Sequence, residues 1–208
     1  MNPHLDQLLS RIPSLAVCIP AIENAFSTLS NAFRSGKKLF LCGNGGSAAD
    51  AEHWAGELLK GFLSPRRITG ELRTKLGDTL ADKLQGGLPV VPLTGFLAFQ
   101  SAFANDCDSQ FAYAQLVLAL GQPGDVLIGI STSGNSPNVC HAIEAANALG
   151  LRTIALSGNT GGRMAQIADN SIIAPSKTVY LIQELHLPIY HCLSLMLEDE
   201  FFGTAPIQ

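Results

Sequence analysis

Charge is scarce in this sequence. Only 14% of the residues are Asp, Glu, Lys or Arg, 47% are apolar, and the net charge is −4. Such a balance lacks the basic face with which a nucleic-acid binder displaces counterions. It also excludes a disordered or fibrous chain and favours a compact α/β core with large subunit contacts. A small anionic ligand stays open, because a few local donors hold a phosphate without a basic surface. Long apolar runs are missing as well: none approaches the roughly 20 residues that span a bilayer. Met1–Arg11 has no basic segment followed by an apolar stretch, so no signal peptide is read there. The cysteines are few, odd in number and scattered (Cys18, Cys42, Cys107, Cys140, Cys192), with no CxxC pair. Reduced thiols in a cytoplasmic protein fit best, and a cysteine-based metal site does not. There is no internal repeat and no low-complexity linker, so the 208 residues read as one well-buried domain.

What is present alternates. Residues 3–35 read as helical, divided by Pro13 and Pro20, with Ile22, Ala25, Phe26, Leu29 and Phe33 at helical spacing. Short apolar runs then predict strands at Lys38–Cys42, Leu88–Leu93, Val126–Ser131, Thr153–Leu156 and Ser171–Ala174. Helical patterns lie at Ala48–Lys60, Gln110–Leu120, Asn138–Leu149 and Gly162–Ala168, and a last apolar helix runs from Lys177 to Phe202. Alternation of this kind implies a parallel sheet covered on both faces, a three-layer α-β-α sandwich, with ligands at the carboxyl ends of the strands. One stretch departs from the rhythm. Between Phe62 and Gly87 the chain turns charged, and Leu72, Leu76, Leu80 and Leu84 form an i, i+4 stripe that predicts an extra amphipathic helix. Such a helix packs on its own domain, or serves as a lid or subunit contact.

Two loops between a strand and a helix carry chemistry. The first, Cys42-Gly43-Asn44-Gly45-Gly46-Ser47, has glycines that let the backbone turn tightly and approach a ligand. Its helix offers unpaired N–H groups and a positive dipole end, and Asn44 and Ser47 add hydrogen-bonding side chains. It lacks both GxGxxG and the GK[ST] ending of a nucleotide P-loop, and a plain structural turn is the bland alternative. The second, Ser131-Thr132-Ser133-Gly134-Asn135-Ser136, gathers four hydroxyls ahead of a helix opened by Pro137. A helix cap needs one hydroxyl, not four, so a phosphate cradle is the better reading.

Proton-moving groups follow. His53 and Glu57 are four apart on the helix after the first loop and share one face. The pair can bind a metal, act as ligand and base, or form an ordinary surface hydrogen bond. Near the C-terminus Gln183, Glu184, His186 and His191 interrupt an otherwise apolar helix. A lone histidine there is usually a core residue, but two with a glutamine are harder to dismiss.

The two loops together resemble the sugar isomerase (SIS) family and, within it, the phosphoheptose isomerases. The resemblance spans nearly the whole chain and rests on CGNGGS with Asp50, His53 and Glu57 after it, the Asn105-Asp106 pair, the STSGNS loop, and Gln183-Glu184 through His191. It implies a five-stranded parallel sheet between helices, and N-terminal helices (1–35) used in oligomer packing. It also implies a phosphorylated-sugar substrate held by Asn44, Gly45, Gly46, Ser47, Asn105, Asp106, Ser131, Thr132, Ser133, Ser136 and Gln183. By resemblance, His53, Glu57, Gln183 and His191 surround one divalent ion, expected to be zinc, whose preference for mixed N and O donors agrees. Glu57 is then the base and His191 its acid/base partner in an enediol reaction that converts sedoheptulose 7-phosphate to D-glycero-D-manno-heptose 7-phosphate, feeding bacterial surface polysaccharide. Gln183 and His191, eight residues apart, are separated by about 12 Å along a helix. Either their side chains lean fully together or one comes from another subunit, so the active site is expected at a subunit interface, in a homotetramer. Two alternatives stand beside this. One is a non-catalytic SIS protein, such as those that bind the replication initiator DnaA or a phosphosugar; the resemblance implies that these lack the acid/base pair. The other is an isomerase for a different phosphosugar, because the 62–87 segment is longer than the family's loop and borders the catalytic helix.

Overall fold

The computed structural model describes residues 2–203. Five strands, β1 (Leu39–Gly43), β2 (Val90–Pro92), β3 (Val126–Ile130), β4 (Arg152–Gly158) and β5 (Asn170–Ala174), form one all-parallel sheet in the order β2-β1-β3-β4-β5. The order reverses at β1, so the loops after the adjacent β1 and β3 flank the crevice where ligands bind in such sheets. Strand residues alternate between two cores. Leu39, Leu41, Val126, Ile128, Ile130, Ile154 and Leu156 pack with α1 (Pro3–Arg11), α2 (Ile19–Arg34), α3 (Gly46–Leu59) and α10 (Val179–Phe202). Phe40, Cys42, Leu127 and Ala155 face the opposite layer with α7 (Ala112–Leu120), α8 (Pro137–Ala148) and α9 (Met164–Ile167). Burial on both faces explains why these strands read as unbroken apolar runs.

Two regions differ from the sequence-based expectation. The 62–87 stretch holds two short helices, α4 (Gly70–Leu76) and α5 (Asp78–Ala81), instead of one. Gly77, at φ 76°, breaks them, and a left-handed residue cannot continue a right-handed helix. The ends of the excursion are tied by the Arg67–Gln85 bridge. Its leucines are not packed down: Leu72, Leu80 and Leu84 are about half exposed. The second difference is α6 (Leu97–Asp106), which no periodicity announced and which has no buried residue. No helix among the described residues is long and apolar enough to cross a membrane.

Candidate active site

The first loop is shaped by its glycines. Gly45 precedes α3 at φ 53°, where a side chain would be strained, and a Cβ on Gly46 would collide with the Gln183 carboxamide. The buried Tyr113 hydroxyl donates to the Gly43 carbonyl at 2.6 Å and fixes the strand end. Asn44 is exposed and exchanges two 2.8 Å amide bonds with Asn138, in the first turn of α8. The two loops are thereby locked together across the β1/β3 crevice. Sequence reasoning missed Asn138, whose partner Asn44 lies 94 residues away, beyond the reach of a local pattern.

In the second loop Ser136 occupies the N-cap of α8 but makes no capping bond. Its hydroxyl lies 3.0 Å from that of Ser131, which also sits 3.5 Å from that of Ser133. Asn135 turns away from the crevice: its amide donates to the Ser133 carbonyl and its Oδ1 accepts from the Arg163 N–H. The plain capping role is therefore not the one the serines play. Thr132 is partly buried beside them, and Ser47 is buried at the start of α3.

Helices α3 and α10 run side by side in the same direction. Gln183 meets Gly46 at the loop end, and two turns further on the His191 ring meets His53, with 5.2 Å between ring centroids. His53 Nε2 lies 3.1 Å from Glu57 Oε1. Its Nδ1 lies 3.0 Å from the hydroxyl of Tyr190, which also donates to Asp50 Oδ1 at 3.4 Å. Tyr190 stacks on Trp54, and Phe62 closes over His191 at 5.2 Å. His191 Nε2 is buried with no hydrogen-bond partner. Burial of that ring, assisted by the nearby charge of His53 and opposed by Glu57, holds His191 below the ordinary histidine value. Burial likewise raises the Asp50 carboxyl, against the opposing pull of Tyr190 and His53.

The structure thus gathers His53, Glu57 and His191 and leaves Gln183 at the loop. Among the described residues no group of three or more His, Cys, Asp or Glu side chains is arranged to hold a metal ion. Asn105 and Asp106 lie exposed at the end of α6, bonded to each other at 2.8 Å. His186 is the core histidine of α10: it is fully buried and its Nε2–H donates to the Ser157 carbonyl at 3.1 Å. Glu184 is exposed.

The cluster is supported from outside. Buried Glu198 accepts the N–H groups of Phe62, Leu63 and Ser64 and the Nε–H of Arg66 at 2.7–2.9 Å. Arg66 in turn donates to the Leu58 and Glu57 carbonyls, which are orphan acceptors at the end of α3. Burial raises the Glu198 carboxyl, but the four donors together hold it below the usual carboxylate range. A polar recess of about 520 Å³, lined by residues such as Asn31, Lys37, Arg152 and Asp169, opens at the amino ends of the strands. It faces away from the loops, at the end of the sheet where such folds do not place their chemistry.

A five-stranded parallel sheet, two polar loops at its switch point and a Glu–His cluster behind them invite comparison with known proteins. The SIS domain model matches residues 6–86 and 85–158. This chain belongs to the phosphoheptose isomerase family. It is 39% identical over 185 residues to the phosphoheptose isomerase of Rhodospirillum rubrum, covering 89% of this chain and 88% of that one. It is 37% identical over 187 residues to that of Synechocystis sp., covering 90% and 87%. Among solved structures, the phosphoheptose isomerase of Neisseria gonorrhoeae superposes with a TM-score of 0.74 at 30% identity, covering 92% of each chain. That of Francisella tularensis gives 0.75 at 29%, covering 95% and 96%. The family's members are aldose–ketose isomerases, and this chain is an isomerase of that class.

Proposed function

We propose that this chain interconverts sedoheptulose 7-phosphate and D-glycero-D-manno-heptose 7-phosphate, with Glu57 and His191 as the acid/base pair. The observation that carries the reading is the Glu57–His53–His191 cluster, set two helical turns behind the loop of a phosphoheptose isomerase fold. The phosphate sits against the hydroxyls of Ser131, Thr132, Ser133 and Ser136, at the N-terminus of α8, where the dipole favours an anion. Asn44, Gly45, Gly46, Ser47, Gln183, Asn105 and Asp106 are assigned to the sugar. Glu57 takes a proton from C1 of the ketose while His191 protonates the C2 carbonyl oxygen, giving the enediol. Returning the proton to C2 and removing that of the C1 hydroxyl gives the aldose. The environment of His191 disfavours the imidazolium, so the residue acts as a neutral ring that gives its N–H proton to the C2 oxygen and regains one from the C1 hydroxyl in the second half.

Zinc is part of the reading. His53 Nε2 and Glu57 Oε1, 3.1 Å apart, form an N/O donor pair of the kind zinc takes; the His191 ring stands 5.2 Å from that of His53, centroid to centroid, and does not complete a set of three donors with them. When bound there, the ion polarises the sugar carbonyl and stabilises its developing negative charge. Gln183 stands two turns away, so its ligation requires rearrangement or a neighbouring subunit. The working unit is then a homotetramer with sites at subunit interfaces.

The test is formation of heptose 7-phosphate from sedoheptulose 7-phosphate, with and without added zinc. Glu57→Gln should lower turnover about 100-fold or more while substrate binding, measured by calorimetry, changes little. Persistent turnover in that variant sinks the assignment.

A further inference from the structure

The Asn44 carboxamide is held in one orientation by a residue of the other loop. Asn44 stands between Gly43 and Gly45-Gly46, where no side chain next to it in sequence can fix it. Its carboxamide and that of Asn138 face each other, and each Nδ2 donates to the other's Oδ1 at 2.8 Å. Turning one amide over alone would set oxygen against oxygen and nitrogen against nitrogen, so the two can be reversed only together. A third donor decides between the two arrangements. The Val139 N–H, in the first turn of α8, donates to Asn138 Oδ1 at 3.0 Å. The reversed pair would put an NH2 group there, donor against donor. Asn138 therefore keeps its oxygen toward its own helix, and Asn44 must present its Nδ2 to that oxygen.

Asn44 spends one of its two N–H groups and one of its two oxygen lone pairs on Asn138, and keeps one of each. Asn138 lies two residues after Ser136, on the helix whose N-terminus carries the serine hydroxyls. One rigid element thus holds both the phosphate cradle and the partner of a residue assigned to the sugar. We propose that Asn138 is a positioning residue: it fixes the Asn44 amide relative to the cradle, so that a sugar phosphate seated on the serines finds the remaining Asn44 N–H and lone pair in a set place. The role in binding rests on the phosphosugar isomerase reading above; the amide pair rests on the geometry alone. What the pair supplies is preorganisation. A free asparagine side chain must be immobilised when the ligand binds, and here that is done beforehand. The pair adds little to the fold, because Asn44 is exposed and water would replace its bonds. The Val139 N–H also reaches the Ser136 carbonyl at 3.1 Å, so removing the Asn138 side chain orphans no backbone donor.

The experiment uses the full-length protein labelled with ¹⁵N-asparagine, with Asn44→Ala, Asn138→Ala and the double variant beside the wild type. Without substrate, the Asn44 side-chain NH2 should relax as rigidly as the backbone in the wild type. In Asn138→Ala it should become flexible, with an order parameter below about 0.6. A mobile Asn44 amide in the wild type, or an equally rigid one in Asn138→Ala, overturns the proposal whatever the substrate. With sedoheptulose 7-phosphate, Asn138→Ala should lower kcat/KM about 3- to 10-fold, the cost of immobilising one side chain. Inorganic phosphate, used as a competitive inhibitor, should keep its Ki. Adding Asn138→Ala to Asn44→Ala should cost nothing further, because Asn138 acts only through Asn44. Additive losses, or a phosphate Ki that rises as kcat/KM falls, overturn the proposal too, since Asn138 would then act on the ligand or on the cradle directly. A wild type that does not turn over sedoheptulose 7-phosphate but shows the stated relaxation upholds the positioning of Asn44 and removes the heptose reading.

Discussion

At the scale of single residues, Gly134 and His186 show how closely the site's supports are specified. Gly134 has φ 67°, and a Cβ there would strike the Gly161 backbone, whose loop packs beneath the serines. Gly36 has nearly the same φ, 69°, but open space around it. Gly36→Ala should cost about 1 kcal/mol, the backbone term alone. Gly134→Ala adds a collision that only a loop shift relieves, and should cost about 2 kcal/mol or more. Urea denaturation of both variants measures the difference, and equal losses would mean that the close approach is unimportant.

His186 gives a pH signature. Burial pushes its imidazole down to about 4, against the hydrogen bond to Ser157, which raises it. The unfolded chain, with an ordinary histidine value near 6.5, binds more protons between those two values. Stability from this residue is therefore fully present above about pH 6.5 and is lost as the pH falls toward 4, for a total of order 3 kcal/mol. His186→Asn, which can still donate to Ser157, should flatten that part of the stability–pH curve; an unchanged slope would assign it to other groups.

At the scale of elements, the pairing of α3 with α10 depends on the segment that crosses their ends. Glu198 on α10 holds the Phe62–Ser64 backbone and Arg66, and Arg66 caps α3. Removing the carboxylate leaves a buried guanidinium without its counter-charge, which typically costs 3–5 kcal/mol. Glu198→Ala should lose about that much in chemical denaturation and speed hydrogen exchange at residues 62–64. Activity should fall too, because Phe62 covers His191. A loss under about 1 kcal/mol would place the pair among the weak surface bridges.

The same elements show what was legible. Strand burial on both faces produces unbroken apolar runs, and these were readable. Glu57, His53 and the two loops were readable because polar residues in a fixed local pattern need no tertiary information. The 62–87 excursion was not, since its leucine stripe has the period of one helix and only the left-handed Gly77 says otherwise. Arg66, Glu198, Asn138 and Tyr190 were also invisible. Each acts through a partner at least 90 residues away in sequence, and no spacing rule reaches that far.

At the scale of the whole molecule, α6 poses the remaining question. It carries Leu97, Ala98, Phe99, Ala102, Phe103 and Ala104, yet none of its residues is buried, and Leu97 is 81% exposed. Phe99 alone of its residues packs against the core, partly buried, too little to give α6 a readable periodicity. Apolar surface left in water is unfavourable by roughly 25 cal/mol per Å², and contiguous patches of it mark contacts between chains. Asn105 and Asp106, assigned to the sugar, stand at the end of this helix, and among the described residues their side chains bond only to each other. A second copy seated on α6 would cover the apolar residues and bring that polar pair beside a neighbour's loops. Light scattering should therefore give a multiple of the 22.0 kDa chain mass, fourfold for the homotetramer. Leu97→Asp should lower both the mass and the turnover while far-ultraviolet circular dichroism stays native-like. A monomeric wild type with full turnover would show that each chain builds its site alone, and that α6 is apolar for some other reason.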